Sequence, residues 1–426
     1  MNRHPESKKT ALHARHLALG ANMADFGGYE MPLWYPAGAR AEHLSVLQRA
    51  GMFDTSHMAL IRVRGEGSRR LLQGLFSKDL DRCIGPKGLP LSPGRCAYGV
   101  FCDIRGHVLD DALVYMLEQE HYLIVVNAGM GGPLSRHIRE KSEGGGIRVE
   151  DLTDQVGKVD VQGPLAGKIL FSVLKDAEAL FAAMPYFSFK GDWTGEAPSL
   201  PCVLKNGTPI LLSRTGYTGE FGFEIFSEMD AVTGIWDLLE EAGRPFGLIP
   251  CGLAARDSLR AGALLPLSHQ DIGDWPFVNH PWPFALPFTE DQKGFTKGFL
   301  GDAALMAALE GAPHTYAFVG SDLRKVGAGP ETFVFLGEEK IGHVLTCVTD
   351  MGMAAKNGTL YSVASPDLPP DLAVKGLACG FLRVDRPLLP GTSLVLNDGK
   401  RKIPVTLIRD LRPARTARKA MAEMLG

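Results

Sequence analysis

HVLDDALVYML (residues 107–117), followed closely by HYLIVVN (121–127), decides how the first half of the chain is built. Apolar residues recur at every second position in both runs, which is the signature of a strand. The four residues between Leu117 and Tyr122 allow the two to pair antiparallel. Side chains alternate along a strand, so Asp111 shares a face with Leu109, Leu113, Tyr115 and Leu117. Asp110 shares the other face with Val108, Ala112 and Val114. Both faces are apolar, so at least one carboxylate sits in poor solvent and needs a cation or a donor beside it. An amine or pteridine nitrogen on a ligand would serve. A backbone donor or an arginine would serve equally, and the strand alone leaves both readings open.

Working outward, residues 38–50 carry Ala41, Leu44 and Leu47 and stop at Gly51, which predicts an amphipathic helix. A strand follows in which Ala59, Ile61 and Val63 alternate with Arg62 and Arg64. Ser68 is placed to cap a helix carrying Leu71, Leu72, Leu75 and Phe76. Beyond Asn127, glycines at 129, 131 and 132 end the strand and Pro133 opens a helix. Strands at 210–213 and 223–226 then mix with helices at 233–242 and 253–265. The run WPFVNHPWPFALPF within 274–288 is too rich in proline for a helix or a central strand, which predicts a connecting loop packed on a surface. The C-terminal third reads as all-β, with strand pairs about Gly337 and the turn Asn397-Asp398-Gly399, and with 352–370 as an exposed insertion. An α+β body followed by a β-barrel or sandwich is the expected fold class.

The 426 residues suffice for two or three domains. Hydrophobic residues make up 45%, charged residues 22%, and mean hydropathy is zero, which excludes a disordered or fibrous chain. A net charge of -3 gives no bulk reason to bind nucleic acid or an acidic membrane surface. No apolar run is long enough to span a bilayer, and the basic start MNRHPESKKTALHARH lacks a secretory core. The seven cysteines are scattered without metal-ligand spacing, so buried thiols in a reducing compartment, no metal site and a cytoplasmic location are expected.

Two further features carry chemistry. In SRTGYTGEFGFE (213–224), Gly216, Gly219 and Gly222 form a sharp loop and Glu224 falls where a strand resumes. No Gly-Lys-Ser/Thr follows and no helix opens, so this is neither a Walker loop nor a Rossmann turn. A carboxylate beside an aromatic loop suits the donor edge of a pterin; a tight hairpin with solvated acids fits the same letters. Arg256 and Arg260 lie four apart on one helical face and can clamp a carboxylate, or Asp257 and Arg260 form a surface pair. His57, His269 and His280 have no evident nucleophile or metal partner and are read as structural.

Together with ADFGGYEMPLWY (24–35), GMFDTSHM (51–58), VQGP (161–164), GLAARDSLR (252–260) and FLGDAAL (299–305), these segments resemble the T-protein (aminomethyltransferase) family of the glycine cleavage system. They stand in the family's order over about the first three quarters of the chain. The resemblance implies a three-domain, cloverleaf-like arrangement around a channel for tetrahydrofolate. The units are then 1–50 plus 145–265, a discontinuous folate-binding domain; 51–144, a second α+β domain; 266–310, a connector; and 311–426, the C-terminal β domain. It places the catalytic acid on Asp111 and folate contacts on Met58, Tyr98, Tyr115, Asn127, Tyr217, Glu224 and Arg256. Arg415 and Arg418 are candidates for a C-terminal contact.

In such enzymes a lipoyl carrier, the H-protein, delivers an aminomethyl group, tetrahydrofolate accepts the one-carbon unit and ammonia leaves. The chain departs from the family after GLAARD, where R-L-E-A and then L-Y-G-Q give way to Arg260-Ala-Gly-Ala and Leu265-Pro-Leu-Ser-His-Gln270. This leaves open a folate-dependent demethylase acting on a small N-, O- or S-methyl donor. A non-enzymatic folate-binding maintenance protein is a third option, but its K-G-C-Y-x-G-Q/E segment is replaced here by RAGALLPLSHQ.

Overall fold

The computed structural model describes residues 7–142, 145–194 and 201–426. The strand read from its alternation runs over Val108–Glu118 and pairs antiparallel with His121–Val126. They belong to a five-stranded sheet in the order Arg95–Cys102, Val108–Glu118, His121–Val126, Ala59–Arg64 and Arg148–Asp151. The two faces of the long strand meet different partners. Ala112, Val114 and Met116 pack with Leu72, Phe76 and Ile124 under the helix Ser68–Leu75. Tyr115 and Leu117 pack instead with Leu211 and Phe226 of a second sheet and with Trp193 from a turn beside it. Burying side chains of this size is worth roughly 1.5–3 kcal/mol each, so the shared core fixes one sheet on the other.

That second sheet has six strands in the order Phe189–Lys190, Leu211–Ser213, Gly222–Glu228, Val156–Gln162, Gly51–Asp54 and Ile249–Pro250. Gly51–Asp54 pairs with Val156–Gln162, and Arg148–Asp151 pairs with Ala59–Arg64 in the other sheet. The chain therefore passes between sheets at 55–58 and again at 152–155. The first crossing lies a few residues beyond the sequence boundary at 51, and the second beyond 145; residue 144 lies outside the described residues.

The C-terminal third closes into a six-stranded barrel of His314–Gly320, Leu377–Val384, Glu339–Asp350, Gly329–Leu336, Ser393–Asn397 and Lys402–Ile408. Phe318, Val344, Leu382, Leu396 and Val405 fill it. The barrel docks on the body through Asp350, which is fully buried. Its Oδ1 lies 2.9 Å from His43 Nε2 on the helix Ala39–Gln48, and Arg412 Nη1 donates to Oδ2 at 2.8 Å. Burial alone would raise this carboxyl, but the His43 and Arg412 charges outweigh it and hold the group well below the usual carboxylate range.

Three local expectations are corrected. The 274–288 segment is irregular apart from one short turn at Pro283–Ala285, yet it is not on the surface. Phe277, Val278, Trp282 and Ala285 are buried with Val100, Ala317 and Phe381, filling the space between the five-stranded sheet and the barrel. Proline forbids ladder hydrogen bonds but does not forbid burial, and Trp282 satisfies its one donor on Leu264 O at 2.8 Å. The 352–370 insertion contains a hairpin, Met353–Lys356 with Thr359–Ser362, that buries Met353 and Ala354. Ser68 is the first helical residue and not the cap; Gly67 occupies that position at φ +90°, and Ser68 Oγ donates to Gly65 O at 2.6 Å. Among the described residues, no helix is long and apolar enough to cross a membrane.

Candidate active site

A cavity of about 1890 Å³ opens where the two sheets, the helix Leu253–Gly262 and the barrel end meet. Met58, Tyr98, Asp111, Asn127, Tyr217, Glu224 and Arg256 all line it. Tyr115, the other residue picked from sequence, does not. It is fully buried, and its hydroxyl lies 3.1 Å from Ser213 Oγ and 3.4 Å from Glu224 Oε2, behind the wall and not on it.

The first wall is acidic. Asn127, just past the end of its strand, donates through Nδ2 to both Asp110 Oδ1 and Asp111 Oδ1 at 2.8 Å. Its backbone N–H donates to Asp110 Oδ2 at 2.8 Å, and Ser268 Oγ donates to Asp110 Oδ1 at the same distance. Tyr98 donates to Asp111 Oδ2 at 2.9 Å. These donors are neutral. Burial, and then the neighbouring Asp111 charge, push Asp110 up to about 7. Burial also raises Asp111, against the hydrogen bonds from Tyr98, Ser268 and Asn127. Both carboxyls are thus raised from their ordinary range, the direction that suits a group which must hold and release a proton.

The opposite wall is an ion cluster. Strand register sets Glu224 opposite Asp160, and Lys158 lies on the same face as Asp160 two residues away. Lys158 Nζ reaches Asp160 Oδ1 at 2.7 Å and Glu224 Oε1 at 2.6 Å, and Arg256 Nη1 reaches Asp160 Oδ2 at 3.2 Å. Thr215 Oγ1 donates to Glu224 Oε2. Lys158 and then Arg256 overcome burial and lower Asp160. Two cations and two anions make the cluster neutral overall, so Glu224 is held in place without being a net charge in poor solvent. The loop that brings it there needs its glycines for close approach: a Cβ at Gly216 or Gly222 would run into the Gln162 amide. Arg256 also lies over the Tyr217 ring, 4.8 Å from its centroid. Arg260, by contrast, is fully buried and paired with Asp257 and Asp271, and Thr346 donates to Asp271 Oδ1 at 2.6 Å, so it ties the helix to the barrel.

Residues from the barrel end and the tail, including Arg409, Arg415 and Arg418, form a basic rim. Arg415 Nη2 holds Asp410 at 2.6 Å, whereas its Nη1 is buried without a hydrogen-bond partner. Leu265, Pro266, Leu267 and Gln270, from a stretch that departs from the family pattern, line the same cavity beside Leu264, and Tyr217 donates to Pro266 O. Sequence reading missed Lys158, and it took His57 as structural without placing it at the cavity. His57 lines the cavity with Nδ1 buried and unpartnered, and burial, then the Arg256 charge, lower it to about 4, so the ring is neutral. Lys158 carried a signal in VGKVDVQ, where a lysine stands on the inward face of a buried strand. Among the described residues, no group of three or more His, Cys, Asp or Glu could hold a metal ion.

Comparison with known proteins places this geometry in context. The family model described as the GCVT N-terminal domain matches residues 12–275. An aminomethyltransferase of Streptomyces coelicolor is 38% identical over 308 residues, 72% of this chain and 75% of that protein. One of Symbiobacterium thermophilum is 37% identical over 346 residues, 80% of this chain and 85% of that protein. The crystal structure of glycine cleavage system aminomethyltransferase T from Bartonella henselae superposes with a TM-score of 0.72, covering 94% of this chain and 96% of that one at 24% identity, which speaks to the fold.

Proposed function

The chain belongs to the aminomethyltransferase (T-protein) family that carries the GCVT N-terminal domain, and we propose that it is a tetrahydrofolate-dependent aminomethyltransferase. In this reading it moves a one-carbon unit from an aminomethyl-lipoyl carrier protein to tetrahydrofolate and releases ammonia. The observation that carries it is the presence of two carboxylates, the half-buried Asp111 and the buried Glu224, on one cavity whose rim is basic. A reduced pterin presents a row of N–H donors and carries its carboxylates at the far end of the molecule. Acceptors inside and arginines at the mouth match that polarity. The unpartnered Nη1 of Arg415 supports the same fit, since a buried guanidinium N–H calls for an acceptor.

Bound tetrahydrofolate supplies the nucleophilic nitrogen that accepts the one-carbon unit. The chain's own residues do the rest. Asp111 orients that nitrogen and takes or returns its proton at Oδ2, where Tyr98 fixes the direction of approach. Asn127 keeps Asp111 and Asp110 in one plane of hydrogen bonds and does not itself titrate. Glu224 receives the pterin donors, with Lys158 and Thr215 holding its two oxygens apart. Arg256 and Tyr217 form the floor between pterin and rim. The division into two interleaved α+β units, a connector and a β domain is part of the proposal, as are the cytoplasmic location and the H-protein-like partner.

One observation favours a second reading. The wall at 264–267 is made of three leucines and a proline, which suits a small methyl donor as well as a lipoyl arm. The deciding experiment is a calorimetric titration with tetrahydrofolate followed by turnover with aminomethyl-lipoyl carrier protein. Micromolar binding with turnover supports the aminomethyltransferase. Binding without turnover on that donor favours the demethylase, and no binding up to millimolar removes both.

A further inference from the structure

Asp110 is fully buried and does not line the main cavity. Among the described residues, the ion-pair partner within reach of it is His269, whose Nε2 lies 3.6 Å from Asp110 Oδ1. His269 is unusual in two ways. Its side chain is 53% exposed although it touches a buried carboxylate. Its backbone sits at φ +62°, in the left-handed region that non-glycine residues occupy under strain. The ring faces a second cavity of about 550 Å³, separate from the first and lined by His107, Trp275 and His343 as well as His269. Gln270 lines both cavities, so residues 268–270 form the partition between them, with Ser268 and His269 both touching Asp110.

We propose that His269 is a positioning residue that exchanges protons between solvent, by way of the second cavity, and the Asp110–Asp111 pair, so that the acid wall can be recharged while the main cavity is full. In the forward direction the ring closes from 3.6 Å to hydrogen-bond distance, the imidazolium Nε2–H bond breaks, an O–H bond forms at Asp110 Oδ1, and the neutral ring takes a proton back from water, leaving hydroxide to bulk solvent. One proton passes from solvent to the carboxylate pair and the histidine is regenerated. Other charged and titratable groups face this region. Asp111 and Tyr98 stand on the main-cavity side. Asp103, Arg105 and His107 come from the turn before the long strand, Asp274 from the connector, and His343 from the barrel. Asp103 and Arg105 pair with each other at 2.8 Å, and burial lowers His343, so it stays neutral. Of these groups His269 is the one that joins solvent to the Asp110 carboxylate, and histidine is the side chain suited to exchange at neutral pH.

The effect on turnover rests on the aminomethyltransferase reading; the effect on the Asp110 proton does not. The test uses the full chain with ¹³C-labelled aspartate carboxyls, assigning Asp110 by comparison with Asp110→Asn. In His269→Gly and His269→Gln the Asp110 titration midpoint should rise by about half a unit to one unit, since the imidazolium of the exchange step favours the ionised carboxylate and is partly screened. His269→Gly suits the φ and should fold as the parent does. Its turnover should fall several-fold, the pH profile should move with the Asp110 midpoint, and added imidazole should restore rate in the glycine variant but not in His269→Gln. An Asp110 midpoint that does not move in folded His269→Gly overturns the proposal. So does a moved midpoint with parental turnover at every pH. A parent chain without turnover on the aminomethyl carrier counts against the functional reading, and the carboxyl titration still decides the part played by His269.

Discussion

Asp350 and Asp110 are both fully buried, but they face different company. Asp350 meets the Arg412 guanidinium and the His43 ring, and its carboxyl is held low. The pair formed by Asp111 on the cavity wall and Asp110 behind it meets amide, hydroxyl and phenol donors, and its carboxyls are held high. A cation fixes a carboxylate's charge and makes it a fastener. Neutral donors fix its direction while leaving the proton negotiable, which is what an acid-base site needs. The contrast separates acids that hold the barrel on the body from acids that do chemistry, using partners alone.

The contrast predicts opposite outcomes for the same substitution. Asp111→Asn should lower turnover by about 10²–10⁴-fold, the usual worth of a positioned acid or base, with the thermal unfolding curve nearly unchanged. A well-folded variant turning over at the parental rate would remove Asp111 from the mechanism. Asp350→Asn should do the reverse. Removing one partner from this buried cluster leaves Arg412 and His43 short of a counter-charge, costing about 3–5 kcal/mol in urea unfolding. Loss of less than about 1 kcal/mol would mean that the seam does not depend on the ion cluster. The smallest effect is on pH dependence. Asp110 binds a proton in the folded chain up to about pH 7 that the unfolded chain releases near its ordinary value of about 4, so this group's stabilisation is complete below pH ~4 and is lost as pH rises through ~7. Asp350 works in the other direction, stabilising above its unfolded value and losing that contribution as pH falls. Asp110→Asn should therefore flatten the decline in stability between pH 4 and 7, and an unchanged slope would show that Asp110 is not the group responsible.

Much of this was legible along the chain because it is local. Alternation in 107–127 gave the strand pair and put two acids in apolar surroundings, and the glycines of 213–224 gave the loop that delivers Glu224. What stayed hidden depends on partners far away in sequence. Ser268 meets Asp110 across 158 residues, and Lys158 reaches Glu224 across 66, and no periodicity records either. Tyr115 was placed on the correct face of its strand, but that face packs on the second sheet at this depth and opens to the cavity only nearer Asp111. The 274–288 connector misled because proline reports on hydrogen bonding and not on burial, and its aromatic content was the better guide.

The two crossings between sheets carry a consequence for synthesis. Gly51–Asp54 leaves the ribosome early, yet its partner Val156–Gln162 is made about a hundred residues later. The five-stranded sheet has all its strands once Asp151 emerges, whereas the six-stranded sheet must wait for Pro250. During translation the middle of the chain can therefore close first, while the first strand of the outer sheet stays tethered beside it with its backbone unpaired. No cut of the gene at a single point separates the two sheets with both whole, and a nascent chain stalled between residues 60 and 150 exposes a strand that only its own continuation is built to cover.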